Sequence, residues 1–223
     1  EAHGGFVRIA RTLAVGNRSL VPILLSMFVL ACAPATRAVA TVAAPSTRVV
    51  ALNNGPNRVD LLGDGTSSEV FVSWPGNFNA HGFHTAAFYV FAHSDVAEAG
   101  NVWQIVPFMG GPHDIDSGRE LYATYQGADC ALADIRLLHR EHATAQVILA
   151  TRDFGQSYAD SATVRFDYYE LTRNPDGVFG RPPFYFHYFR TVHASRLYCD
   201  VNQAFAHELG LGTHGLAHED DEP

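Results

Sequence analysis

Between Val59 and His93 the chain reads Val59-Asp60-Leu61-Leu62-Gly63-Asp64-Gly65, then Val70-Phe71-Val72-Ser73-Trp74, then Asn77-Phe78-Asn79-Ala80-His81-Gly82-Phe83-His84, and then an apolar run from Ala86 to Ala92. Short apolar runs bounded by Gly, Asn and Asp read as strands separated by loops. The stretches quoted hold two amides, Asn77 and Asn79, two imidazoles, His81 and His84, and two carboxylates, Asp60 and Asp64, the densest set of residues able to do chemistry.

Working outward, the same pattern recurs. Arg48 to Leu52 is a short strand turned by Asn53-Asn54-Gly55-Pro56, and Val102 to Phe108 follows the Gly100-Asn101 turn. Leu121, Ala123 and Tyr125 alternate with Tyr122 and Thr124, and Ala133, Ile135 and Leu137 alternate with Asp134 and Arg136, which reads as a strand buried on one face. Val164, Phe166 and Tyr168 set one phase and Tyr169 and Leu171 the other, a slip that a β-bulge produces. Phe184 to Phe189 is an aromatic strand that Thr191 to Tyr198 continues or pairs with. Asp200 is suited to cap a helix, with Gln203 three residues on, Val201, Ala204, Phe205 and Leu209 on one face and Gly210 at its end. About nine short strands and one late helix predict an all-β fold, an antiparallel sandwich or barrel-like sheet with a short C-terminal helix; α+β is the alternative.

Residues 1–40 read as an export signal and leader, 41–212 as a single β-rich domain and 213–223 as a disordered acidic tail. Arg8, Arg11 and Arg18 precede an uncharged run from Leu20 to Ala33, short for a membrane span but suited to a signal peptide, with Ala-x-Ala patterns after it. Val29-Leu30-Ala31 before Cys32 is similar to a lipobox, so lipidation at Cys32 is an alternative to soluble export; a buried core helix is the bland reading. The expected location is periplasmic or secreted, or an outer-membrane lipoprotein, with membrane contact only through the signal or lipid. All basic charge is Arg, and the part after residue 40 carries 11 Arg against 22 acids, a net −11. Such a surface repels phosphate backbones, which argues against nucleic-acid binding. Cys130 and Cys199 remain in that part; in an oxidising compartment a disulfide is the simplest reading and two free buried thiols the alternative.

Asp60, Asp64 and Gly65 fit part of a calcium loop, but Leu62 stands where an oxygen ligand belongs and Ser68 replaces a later acid, so a weak calcium site competes with a plain Asx-type turn. His81 and His84, with His93 and His113 later, could suggest zinc, but i and i+3 face opposite sides of a strand. His207-Glu208-Leu209-Gly210-Leu211 departs from the zinc-protease pattern at Leu211, and Gly210 breaks the helix it needs. Asn77, Asn79, His81 and His84, with Asp153, Tyr158 and Asp160, form a candidate polar cluster, either a ligand rim or a hydrogen-bonded structural corner. The motifs of serine hydrolases, β-lactamases and nucleotide enzymes are missing, so no catalytic residue is assigned.

Val59 to Gly65, Asn77 to His81 leading to Phe88-Tyr89-Val90, Gly127-Ala128-Asp129-Cys130, Asp153 to Asp160, and Tyr198-Cys199-Asp200-Val201 before Ala204-Phe205 together resemble the CarG-type carbapenem intrinsic-resistance family. The resemblance implies an exported periplasmic protein that protects against carbapenems without hydrolysing them, with no catalytic residues to carry over and no cofactor beyond the calcium weighed above. A small molecule or an envelope protein is the expected partner, and a homodimer is admitted. The alternatives are a metal-dependent hydrolase drawing on His81, His84, Asp60, Asp64 and His113, or a calcium-stabilised structural envelope domain.

Overall fold

Alternation along the chain becomes two sheets in the computed structural model, which describes residues 47–74, 82–93, 100–112, 118–127 and 129–216. The expected export segment, with Cys32, lies outside the described residues. The smaller sheet runs β2 (Gly55–Val59), β3 (Ser68–Ser73), β4 (Thr85–His93) and β5 (Asn101–Ile105), with β7 (Leu121–Ala123) also on β4. The larger runs β1 (Thr47–Val50), β9 (Ala131–Arg140), β10 (Ala143–Arg152), β11 (Ala162–Arg173), β12 (Phe184–Tyr198) and β6 (Phe108–Met109), with β8 (Tyr125–Gln126) also on β9. All pairings are antiparallel except β12 with β6. The protein is all-β with one short C-terminal helix, as the sequence predicts.

Burial follows the pleat. Val70, Val72, Phe88 and Val90 of the smaller sheet pack on Ile135, Val147, Leu149 and Phe186 of the larger. Phe88 meets Phe108 and Phe186 edge-on at 5.5 and 5.1 Å, and Phe108 stacks on Phe186 at 4.9 Å, so the aromatic strand forms the centre of the layer between the sheets. The outer face of the smaller sheet keeps Phe71, Phe91, Trp103 and Leu121 exposed. The slip expected in β11 is not there. Its pairing with β10 runs unbroken from Val164 to Glu170, and Phe166 and Tyr168 face the helix while Tyr169 and Leu171 face the other sheet in plain alternation. The apparent slip arises because both faces are buried; the register shift at Tyr168/Tyr169 instead leaves Phe189 of β12 as the extra residue. The expected strand from Val102 to Phe108 is two, β5 and β6, divided at Val106-Pro107, because proline has no N–H to give a ladder.

Helix α1 (Val201–Leu209) covers the opposite face of the larger sheet, with Val201, Ala204 and Phe205 packed on Ile148, Val164 and Phe166. Asp200 caps it through Oδ1, which accepts the Asn202 N–H at 2.6 Å, while Oδ2 accepts the Ala131 N–H at 3.1 Å. The donor is Asn202, so the cap does not rest on Gln203. Gly210 ends the helix, its N–H donating to Ala206. Next to this cap, Cys130 and Cys199 form a disulfide with Cα atoms 5.7 Å apart. The start of β9, the end of β12 and the helix N-terminus are thereby held at one point.

Another expectation fails. The chain after Gly212 is not a polar tail over residues 213–216: Leu216 is 4% exposed and belongs to the core between the sheets. Polar composition hid a single apolar anchor in that stretch.

The disulfide closes a loop of 69 residues. Replacing both cysteines by serine is expected to lower stability by about 4 kcal/mol on the chain-entropy account. Denaturant unfolding of the double variant, and of wild type with reductant, checks this; an unchanged midpoint would refute it.

Candidate functional site

The residues singled out from sequence occupy separate places. In the Asp60 loop, Oδ1 accepts the Gly63 N–H at 2.8 Å and Oδ2 the Gly65 N–H at 2.9 Å. Asp64 Oδ1 accepts the Thr66 N–H at 2.9 Å, and Oδ2 pairs with Arg173 at 2.9 Å. Hydrogen bonding from Thr66, with Arg173 in support, lowers the Asp64 pKa. The oxygens a calcium ion would need are turned to the loop's own backbone and to Arg173. Leu62, which stands at a would-be ligand position, is core, as is Leu61. Gly63 has φ +69 and a Cβ there would strike the Ala143 backbone, so the loop is pressed onto the β9–β10 hairpin, where the Ala145 N–H donates to Leu61 at 2.8 Å. Among the described residues no three His, Cys, Asp or Glu side chains gather to hold a metal.

The stretch from Asp153 to Asp160 is a corner organised by Arg152. Nη1 donates to the carbonyls of Tyr158 at 3.0 Å and Cys199 at 3.1 Å, and also to that of Asp160; Nη2 donates to Phe154 at 3.3 Å and Ser157 at 3.2 Å. Asp160 Oδ2 accepts the N–H groups of Gln156 and Ser157. Buried Arg152, 4% exposed, therefore satisfies carbonyls that a loop would otherwise leave dry. Tyr158 meets Tyr125, hydroxyl to hydroxyl, at 2.9 Å. His84 is buried beside Thr124, whose Oγ1 accepts the His84 N–H at 2.7 Å. His84 and Tyr158 thus contact successive residues of one segment, Thr124-Tyr125. Asn77, Asn79, His81 and His113 lie outside the described residues, so the rest of the expected cluster is not placed.

The site that geometry does build was missed. Along β9, β1 pairs with Leu137 to Arg140 and β8 pairs with Ala131 and Ala133, leaving an interval at Asp134, Ile135 and Arg136 with no strand on that edge among the described residues. The outward peptide groups there are satisfied by side chains. Asp134 Oδ1 accepts the Ile135 N–H at 2.7 Å, Arg136 Nη1 donates to the Ile135 carbonyl at 2.9 Å, and the Tyr122 hydroxyl donates to the Asp134 carbonyl at 3.1 Å. Asp134 and Arg136 are 0% and 1% exposed. Burial lowers the Arg136 pKa, with Asp134 opposing the shift, and burial raises that of Tyr122 well above the ordinary phenol value. The C-terminal segment crosses this interval: Arg136 Nη2 donates to Asn202 Oδ1 at 2.7 Å and to the Gly212 carbonyl at 3.2 Å, and the Leu216 N–H donates to Asp134 Oδ1 at 3.0 Å. A Cβ at Gly215 would collide with the Asp134 carboxylate and the Arg136 guanidinium. Beside them lies a cavity of about 440 Å³, lined by residues 49–53, 135–137 and 214–216 with Leu211 and Gly212.

Sequence reading took Asp134 and Arg136 for the wet face of β9. The signal that could have corrected it is Leu132 and Leu138, which share their face and are buried.

The fold is similar to that of one solved structure, titled "Crystal structure of CarG", with a TM-score of 0.58 and 20% identity over 74% of this chain and 99% of that chain. At that identity the likeness concerns the fold. No protein-family model matches the sequence, and no curated protein matches it.

Two outcomes test these placements. Gly215→Ala should cost about 1–3 kcal/mol by overpacking, and Asp134→Ala about 3–5 kcal/mol by stranding a buried guanidinium; thermal unfolding of each reads this, and a neutral Gly215→Ala would mean the C-terminal segment is not seated. Asp60→Ala should cost about 1–2 kcal/mol through two lost backbone acceptors, while calcium leaves the wild-type melting temperature unchanged. A calcium-dependent rise would restore the ligand reading of that loop.

Proposed function

We propose that this protein is an exported, non-hydrolytic binding protein that protects cells against carbapenems, as its resemblance to the CarG type implies. The observation that carries the reading is the fold, which matches CarG along 99% of that chain's length. The CarG-like sequence blocks at Asp60, Cys130, Asp153 to Asp160 and Cys199 support it, since each sits at a junction the fold uses. These are the β9–β10 contact, the disulfide, the Arg152 corner and the helix cap. They are positions of architecture, which suits relatives that share a scaffold. The disulfide suits an oxidising compartment. A binding role is favoured over hydrolysis because Asp60 and Asp64 are committed to their own loop and Arg173, and His84 lies in a different part of the smaller sheet.

The test is expression of the exported protein in a carbapenem-sensitive host, with the drug in the medium followed by chromatography. The expected outcome is growth at a several-fold higher drug concentration while the β-lactam stays intact. Loss of the drug would overturn the non-hydrolytic reading, and unchanged sensitivity would overturn the protective role.

A further inference from the structure

The outer face of the smaller sheet leaves rings in solvent. Phe71, Phe91, Trp103 and Leu121 stand there between 37% and 50% exposed, with the Phe91 and Trp103 ring centroids 5.2 Å apart. The face does not stop at β7. Ala87 lies opposite Leu121 and Thr85 opposite Ala123, and the Thr124 and Gln126 N–H groups donate to the His84 and Gly82 carbonyls. One register therefore runs on and sets Phe83 opposite Tyr125. Tyr125 is exposed and bonds Tyr158, whose ring meets that of exposed Phe154 edge-on at 4.8 Å. From Phe91 back to Phe83 the extended chain covers about 27 Å. Rings thus recur along a track. A contiguous exposed surface of this kind on a folded domain marks an interaction site.

Two properties choose the occupant. The first is that hydroxyl pairs are interleaved with the rings. Ser73 and Thr85 meet oxygen to oxygen at 2.6 Å on the outer face, and Tyr125 and Tyr158 at 2.9 Å. A hydroxyl has more sites than one bond uses, so Ser73 and Tyr125 keep capacity for a ligand. A wholly apolar occupant would cover these oxygens without answering them. The second property is charge. Apart from His93, strands β2 to β5, β7 and β8 carry Arg58 and Glu69 as their charged residues, and these pair at 3.8 Å. Next to the Phe154 and Tyr158 rings the chain adds only the acids Asp153 and Asp160. The track has no cluster of cations to hold an anionic headgroup or polymer.

We propose that this track binds a neutral glycan chain, a flat ribbon of equatorially linked pyranose rings. The C–H faces of the sugar stack on Trp103, Phe91, Phe71 and Tyr125, and sugar hydroxyls bond Ser73, Thr85 and Tyr125. Each ring of such a chain has an apolar C–H face and a hydroxyl rim, the same alternation that the track shows. A ribbon follows the face of a sheet, whereas a coiled glycan touches it at separated points. The length of the track selects a chain over a single sugar. This assignment does not depend on the protective role, and either can stand if the other falls.

The experiment titrates the full-length protein with cellohexaose and chitohexaose, beside maltohexaose as a coiled glycan of equal length, by amide NMR. At least one ribbon hexasaccharide is expected to bind, and maltohexaose about tenfold more weakly. Shifts should concentrate at residues 71–73, 83–91, 101–105, 121–126 and 154–158. Trp103→Ala and Tyr125→Ala should each weaken binding about tenfold with the melting temperature unchanged, since both side chains are exposed. Phe179→Ala, which removes an exposed ring from the β11–β12 loop, should leave binding as it is. Absence of binding by both ribbon glycans, equal binding of maltohexaose, or shifts centred elsewhere would overturn the proposal. So would wild-type affinity in the folded Trp103→Ala and Tyr125→Ala variants; if these unfold, the shift map of the wild type decides. Sedimentation of the free protein covers the rival occupant. A dimer that Trp103→Ala abolishes, with no glycan bound, would give the face to a second copy of the chain and sink the glycan assignment.

Discussion

The larger sheet depends on how one interval of β9 does without a neighbour. A strand edge inside a protein leaves an N–H and a C=O that must find partners, and a neighbouring strand is the usual source. At Ile135 the partners are the side chains on either side of it in sequence, Asp134 for the N–H and Arg136 for the C=O. The alternation of the strand places both on the same face, turned toward α1 and the C-terminal segment. Burying two charges is then less of a liability than in an ordinary core, because each charged group also replaces a ladder bond. Apolar substitutes of similar volume, which often stabilise a buried ion pair elsewhere, would here leave the Ile135 peptide groups dry.

From that interval the rest of the C-terminal half follows. Arg136 also reaches Asn202 in the first turn of α1 and the Gly212 carbonyl just past it, so one guanidinium ties both ends of the helix to β9. Its plane lies over the Phe205 ring at 4.3 Å, a cation–π contact that gives the charge an apolar seat. At the other end of the same strand, Asp200 bonds Ala131 and the disulfide joins Cys130 to Cys199. Arg152 does the same work on β10, gathering carbonyls from the loop before β11 and from Cys199. Two buried arginines and one disulfide thus fix the helix against the sheet.

How much of this was legible depended on whether a signal was local. The apparent slip at Tyr168 and Tyr169 was a misreading, because β11 is buried on both faces and two apolar sets of opposite parity look like a slip, while the extra residue there is Phe189 of β12. The cap at Asp200 and the end at Gly210 were legible because they are local, and the Cys130–Cys199 pair, though 69 residues apart, because these are the two cysteines after residue 40. The Asp60 loop was half legible: its turn chemistry was visible, but Leu62 looked like a failed ligand when it is a buried anchor. Asp134 and Arg136 were illegible as a site, because a wet face and a face covered by a later helix carry the same alternation. Leu216 was illegible for a related reason. One apolar residue among Gly, Thr and His gives no periodicity, and only the cavity edge it closes reveals its role.

The charged pair and the cavity have one physical origin. If β1 ran further along β9, its backbone would bond Ile135, and neither Asp134 nor Arg136 would be needed at the edge. The same extension would fill the space that residues 49–53 now border. Conversely, a chain that leaves the edge open must supply polar side chains to close it, as Asp134 and Arg136 do at Ile135. An arrangement selected for stability alone would remove the opening by pairing the strands.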